Sequence, residues 1–126
     1  MSEATETEEL EVASHNAGDG VRIERWRPEE PPTGAHLSER LQREGLSTCI
    51  VSLPSGYRDP AQTVVCRESI WLVAGWMRIG TGDPRDGALL GPGDRVDFAR
   101  GSRRTFSVVG EDPARFLHGL DLGLPA

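Results

Sequence analysis

Few side chains in this 126-residue chain are of a type to do chemistry. It has three histidines, two cysteines and one tyrosine. His118 stands in Phe116-Leu117-His118-Gly119-Leu120, where strand alternation puts it on one face with Phe116 and Leu120. A histidine there could act as a base, though packing is the simpler role. His36 falls on the wet side of a helical stretch and His15 near the N-terminus, so both read as incidental. Tyr57 follows Gly56 and could donate a hydrogen bond to a ligand or hold a turn. Acid–base chemistry without a metal needs a carboxylate beside such a group. Glu68 with His118 or Tyr57 supplies the candidate pairs. Trp71 and Trp76 flank Gly75 and suit core packing or a dimer face better than ligand stacking.

Several familiar chemistries are excluded by spacing. Two cysteines without a CxxC pair cannot make a thiolate zinc site alone, and Cys49 and Cys66 are expected as free thiols. There is no G-x-S-x-G elbow, no HExxH and no phosphate-binding loop. Gly80-Thr81-Gly82 meets Arg85 where a dinucleotide fingerprint needs glycine. The net charge of −6 argues against nucleic acid as a partner, despite the local cluster Arg100, Arg103 and Arg104. All 14 basic residues are arginine. Six of the 20 acids lie in residues 1–20, which contain no base; the other 14 balance the arginines over residues 21–126.

Those elements must be positioned by a scaffold, and the sequence punctuates one clearly. Residues 1–20 read as a disordered acidic tail ending in Gly18-Asp19-Gly20, solubilising rather than docking. No basic start and apolar core marks a secretory signal. The longest apolar run, Ile70–Met77, is far short of the roughly 20 residues a membrane helix needs. A cytoplasmic protein without membrane contact is the expectation. The folded domain is expected over residues 21–126, with a strand and helix over 21–45 and a barrel over 46–120. Val21–Trp26 alternates as a strand with one wet face. A helix follows, with Thr33 as cap, Leu37 and Leu41 on one face, and Gly45 at its end. Glu39 with Arg43 and Arg40 with Glu44 have i,i+4 spacing.

Beyond Leu46 the pattern turns to short strands. They are expected at Leu46–Leu53, Thr63–Arg67, Ile70–Ala74, Trp76–Ile79, Ala88–Leu90, Arg95–Phe98, Thr105–Val109 and Ala114–Leu120. Turn residues separate them, including Asp59-Pro60 and Gly91-Pro92-Gly93-Asp94. With 15 glycines, nine prolines and 6% aromatics, this is a turn-rich all-β composition. About eight closely spaced strands predict a sandwich or jelly-roll barrel.

Gly56, five residues, Gln62-Thr63-Val64, three residues, Glu68, six residues and Gly75 form one spaced motif. Gly93, five residues, Ala99-Arg100-Gly101, two residues and Arg104 form a second. In the spacing of both motifs, over residues 46–119, the chain resembles the cupins. The resemblance implies an all-β double-stranded β-helix, the RmlC-like jelly roll, with one short N-terminal helix. It also implies a homodimer, and Val21–Trp26 could cover an open sheet edge. In the family, a metal is held by the residues at four of these positions. Here they are Gln62, Val64, Glu68 and Arg104, and only Glu68 remains a ligand type. Valine cannot coordinate, and guanidinium keeps its proton. No metal and no cofactor are therefore expected.

If the family's strand orientation holds, Gln62, Val64 and Cys66 face inward from one motif and Arg104, Phe106 and Val108 from the other. Arg104 then replaces the positive charge of the metal and pairs with Glu68. Gln62, Val64, Glu68, Arg104 and Phe106 are the candidate ligand-binding residues. The leading expectation is a metal-free barrel holding a small molecule, with Arg104 suited to an anionic group. The alternatives are a metal-independent isomerase or lyase acting on a polar small molecule, and a structural or partner-binding barrel whose pocket is filled.

Overall fold

A computed structural model describes residues 15–18, 20–26, 30, 33–80 and 87–123. Among these, ten strands and one helix form two antiparallel sheets packed face to face. The strands are β1 (His15–Gly18), β2 (Val21–Glu24), β3 (Ser47–Leu53), β4 (Arg58–Thr63), β5 (Glu68–Ala74), β6 (Trp76–Gly80), β7 (Ala88–Leu90), β8 (Arg95–Phe98), β9 (Arg103–Val109) and β10 (Ala114–Leu120). The helix, α1, spans Gly34–Arg43. One sheet has the order β1-β2-β8-β5-β10-β3 and the other β4-β9-β6-β7.

Between the sheets lies an apolar core that includes Ile23, Ile70, Leu72, Met77, Leu90 and Phe98. Strand β5 is buried on both faces from Glu68 to Leu72. Its inward residues Ile70 and Leu72 join the barrel core. Its outward Trp71 joins Leu37, Leu41, Leu46 and Leu117 in a second cluster beneath α1. The helix forms as its sequence directs: Thr33 accepts the His36 amide, Leu37 and Leu41 are buried, and Gly45 has φ of 85°.

A charged clamp ties the helix end to the sheet. Arg95 on β8 donates to both carboxylate oxygens of Glu44, at 2.8 and 2.7 Å. It also donates to both oxygens of Asp97, at 3.0 and 2.9 Å, and to Ser69 Oγ at 3.1 Å. Its guanidinium lies 5.0 Å from the centre of the Trp71 ring, whose Nε1 donates to Gly93 O at 2.8 Å. Glu44 thus takes Arg95, and additionally Arg67 at 3.3 Å, in place of the expected helical Arg40. The hydrogen bond from Arg95 holds the Glu44 carboxyl below its ordinary 4.5, against the opposing effect of burial. Burial also works against the charge on Arg95, but the hydrogen bonds it donates to Glu44 and Asp97, with the charge of those carboxylates, outweigh it and raise its pKa.

Four expectations change. A strand, β1, lies inside the expected tail and pairs with β2 (His15 opposite Ile23); residues 1–14 lie outside the described residues. Since β2 sits between β1 and β8, it does not cover the sheet edge. It also ends at Glu24; the Trp26 amide bonds to Asp94 Oδ1 instead, at 2.8 Å. The expected Thr63–Arg67 strand is replaced by β4, which runs through Asp59-Pro60. Proline is tolerated there because β4 is an edge strand with a bulge between Asp59 and Gln62.

Glu44→Gln should lower stability by about 1.5–3 kcal/mol, the range for hydrogen bonds to charged groups. The Glu44 carboxyl titrates lower in the folded chain than in the unfolded one. Its contribution is therefore complete above pH 4.5 and lost as pH falls through the lower folded value. Urea unfolding between pH 7 and 3 should show a shallower acid-side loss in the variant.

Candidate functional site

Strands β4, β5, β9 and β10 bring five polar side chains together at one end of the barrel. Arg104 and Phe106 alternate inward on β9, and Phe106 packs against the core. The register sets Asp59 opposite Phe106 and Gln62 opposite Arg104, so the bulge at Pro60-Ala61 gives both a place on the inner face. Glu68 opens β5, and Leu120 of β10 lies opposite it. His118 is two residues away on the same face of β10.

Arg104 lies between two carboxylates. Its Nη1 donates to Asp59 Oδ2 at 3.0 Å. Its Nε stands 2.5 Å from Glu68 Oε1. That second contact is an ion pair without hydrogen-bond alignment: both atoms are buried, and neither has a hydrogen-bond partner. We read the distance as a Coulombic contact, because alignment decides whether N–H and oxygen bond. Glu68 Oε2 is 3.6 Å from His118 Nε2, and Tyr57 Oη is 3.4 Å from Asp59 Oδ1. Tyr57, Asp59, Arg104, Glu68 and His118 thus form an unbroken chain of polar contacts. Side-chain exposure is 8% for Glu68, 11% for Asp59, 14% for Arg104 and 21% for His118, so solvent reaches the chain mainly at the histidine end.

An aromatic wall backs these groups. The Arg104 guanidinium is 5.0 Å from the Phe106 ring centre. Tyr57 stacks on Phe106 at 6.1 Å, Phe116 meets Phe106 edge-on at 6.5 Å, and His118 meets Phe116 edge-on at 6.1 Å.

The sequence-derived candidates divide accordingly. Glu68, Arg104, Phe106, His118 and Tyr57 converge. Val64 is a core residue and presents nothing polar. Gln62 is exposed and Cys66 half-buried, so the inward set expected from the first motif reduces to Val64. The chain leaves β4 after Thr63; Val64 N donates to Ser102 O and Gly101 N to Val64 O, each at 2.8 Å. Asp59 was the missed residue. Regular alternation back from Gln62 puts it outside, and only the bulge turns it in. A proline inside a polar edge segment is the signal that could have revealed it. Trp71 lies under the helix and Trp76 on the outer surface, so neither reaches this site.

A metal centre of the family type does not fit this donor set. The position of the last ligand holds a guanidinium in contact with the sole remaining carboxylate ligand, and another holds a core valine. Among the described residues, no group of three or more His, Cys, Asp or Glu side chains is placed to hold a metal ion.

No family model matches the sequence, and no curated protein does. Solved structures do match the shape. A cupin 2 domain-containing protein from Halorhodospira halophila aligns over 80% of this chain and 77% of its own, with TM-score 0.60 and 18% identity. The fold is a cupin fold. The cupin domain of Schizosaccharomyces pombe Cnp3 aligns over 79% of this chain with TM-score 0.54 and 13% identity. The DMSP lyase DddQ from Ruegeria pomeroyi aligns over 64% with TM-score 0.54 and 23% identity. This chain spans 59% of the Cnp3 structure and 41% of the lyase.

Asp59→Asn keeps the shape of the site and removes one charge from Arg104. Thermal unfolding should show a loss of about 1–3 kcal/mol, as for other buried polar groups left short of a partner. Gln62→Ala, at the exposed position, should change stability by less than about 0.5 kcal/mol.

Proposed function

We propose that this cupin binds a small polar molecule at the Arg104 end of its barrel, with the Arg104–Glu68 contact standing where the family's metal is held. One observation carries the reading. Glu68 Oε1 and Arg104 Nε are buried side by side, and neither has a hydrogen-bond partner. Buried polar atoms in native proteins are nearly always satisfied. A molecule that parts the pair and offers one donor and one acceptor would satisfy both.

Asp59 narrows the chemistry. Two carboxylates face one guanidinium, so the positive charge of Arg104 is already answered. An anion would have to displace a carboxylate. A neutral hydroxyl- or amide-bearing molecule, which carries both a donor and an acceptor, answers the pair without adding a charge. The partly buried rings of Tyr57 and Phe106 would supply apolar contact for its carbon frame.

A second reading is a metal-independent isomerase or lyase. It rests on His118 Nε2 and Glu68 Oε2 lying 3.6 Å apart, an imidazole and a carboxylate side by side with room for a substrate atom or a water to join them. The third, a filled barrel with a structural role, is the outcome if nothing binds.

Native mass spectrometry of the purified chain, with a thermal-shift panel of neutral, cationic and anionic small molecules, tests this. Neutral hydroxyl- or amide-bearing compounds should stabilise the protein, by about 2.7 kcal/mol at a concentration 100 times Kd. Glu68→Gln should abolish that stabilisation while the ligand-free variant stays folded by circular dichroism. No retained mass and no shift from any class would sink the binding reading in favour of the filled barrel. A stabilising anion lost in Arg104→Gln would overturn the charge assignment.

A further inference from the structure

The outer face of the four-stranded sheet is cationic and partly apolar. Its register aligns Arg58, Ser107, Arg78 and Leu89 in one row across all four strands. Trp76 and Val109 form the next row, and Arg103 lies further along β9 on the same face. Arg58, Arg78 and Arg103 are exposed, and none makes an ion pair among the described residues. Trp76 is 50% exposed and Leu89 39%. No acid shares this face among the described residues. A row of like charges beside an exposed indole is an unusual surface to leave open on a chain of net charge −6.

We propose that this face docks the chain's own acidic N-terminal segment, residues 1–14. Charge is the first argument. The segment carries Glu3, Glu6, Glu8, Glu9 and Glu11 and no base, with Leu10 and Val12 to meet Trp76 and Leu89. Geometry is the second. The chain enters β1 at His15, opposite Ile23. Two residues beyond Ile23, Arg25 donates to the Leu89 carbonyl on β7, so this end of β1 adjoins the edge of the cationic sheet. Four strands span about 14 Å, and fourteen extended residues reach at least three times that. The tether is the third: a short linker holds its end at an effective concentration on the order of millimolar, so weak contacts suffice. A second copy is the poorer occupant, because two such faces repel. Nucleic acid is poorer too, since residues 21–126 carry equal numbers of acids and arginines. Strands β4 and β9 would then bear the segment on one face and Asp59 and Arg104 on the other.

The test uses full-length ¹⁵N-labelled protein, compared with a full-length chain carrying Glu→Gln at positions 3, 6, 8, 9 and 11. At low salt the Trp76 indole and the Arg58, Arg78 and Ser107 amides should differ between the two proteins, while the buried Trp71 indole coincides. About 1 M salt should bring the natural chain onto the variant's positions, because screening then acts within about 3 Å. The differences should survive tenfold dilution. Coincident spectra at low salt would overturn the proposal. Differences that vanish on dilution would also overturn it and assign the face to contacts between copies.

Discussion

Arg95 lies on the outer side of the six-stranded sheet with both of its hydrogen-bonding edges occupied. One edge holds Glu44 just past the helix, the other holds Asp97 on its own strand, and the indole of Trp71 lies against the guanidinium. A buried arginine is tolerated only when paired in this way. The pairing fixes where α1 ends, and with it which side of β5 is roofed. Because Leu37, Leu41 and Trp71 then fill the roofed side, the other side of β5 is committed to the barrel. Glu68, the first residue of that strand, is delivered to the barrel end by this arrangement.

The second buried arginine is treated differently. Arg104 has one aligned bond, to Asp59, and one bare contact, to Glu68. The contrast within one molecule is informative. At Arg95 each of the three guanidinium nitrogens donates to an aligned oxygen; at the barrel end two buried atoms face each other without an aligned bond. The same side-chain chemistry is thus fully bonded in one region and only partly bonded in the other.

Much of this was legible in the sequence, for identifiable reasons. Thr33, Leu37, Leu41 and Gly45 mark the helix through capping and periodicity, which are local effects. Ala88–Leu90, Arg95–Phe98 and Ala114–Leu120 fall where turn residues bound them. Glu68 Oε1 and Arg104 Nε, which the cupin resemblance singles out, stand 2.5 Å apart. What was hidden depended on partners distant in the chain. Asp59 turns inward only because β4 bulges against β9. Gln62 has the expected register but not the burial, because β4 is an edge. Glu44 ignores its helical neighbour for an arginine 51 residues away. Bulges, edges and long-range ion pairs carry no local periodicity, so no window along the chain reveals them.

The strand order has one more consequence, in the timing of assembly. β10, the last strand described, lies between β5 and β3, pairing with both along its length. As the chain leaves the ribosome, β3 and β5 are made well before the strand that joins them. The larger sheet therefore cannot close until residues 114–120 emerge, and β3 and β5 must wait without the neighbour they share. Nonlocal pairing of this kind slows folding and lengthens the interval in which strand edges are open to other chains. The strand at stake, β3, is uncharged and free of proline, so it has little to deter such contacts.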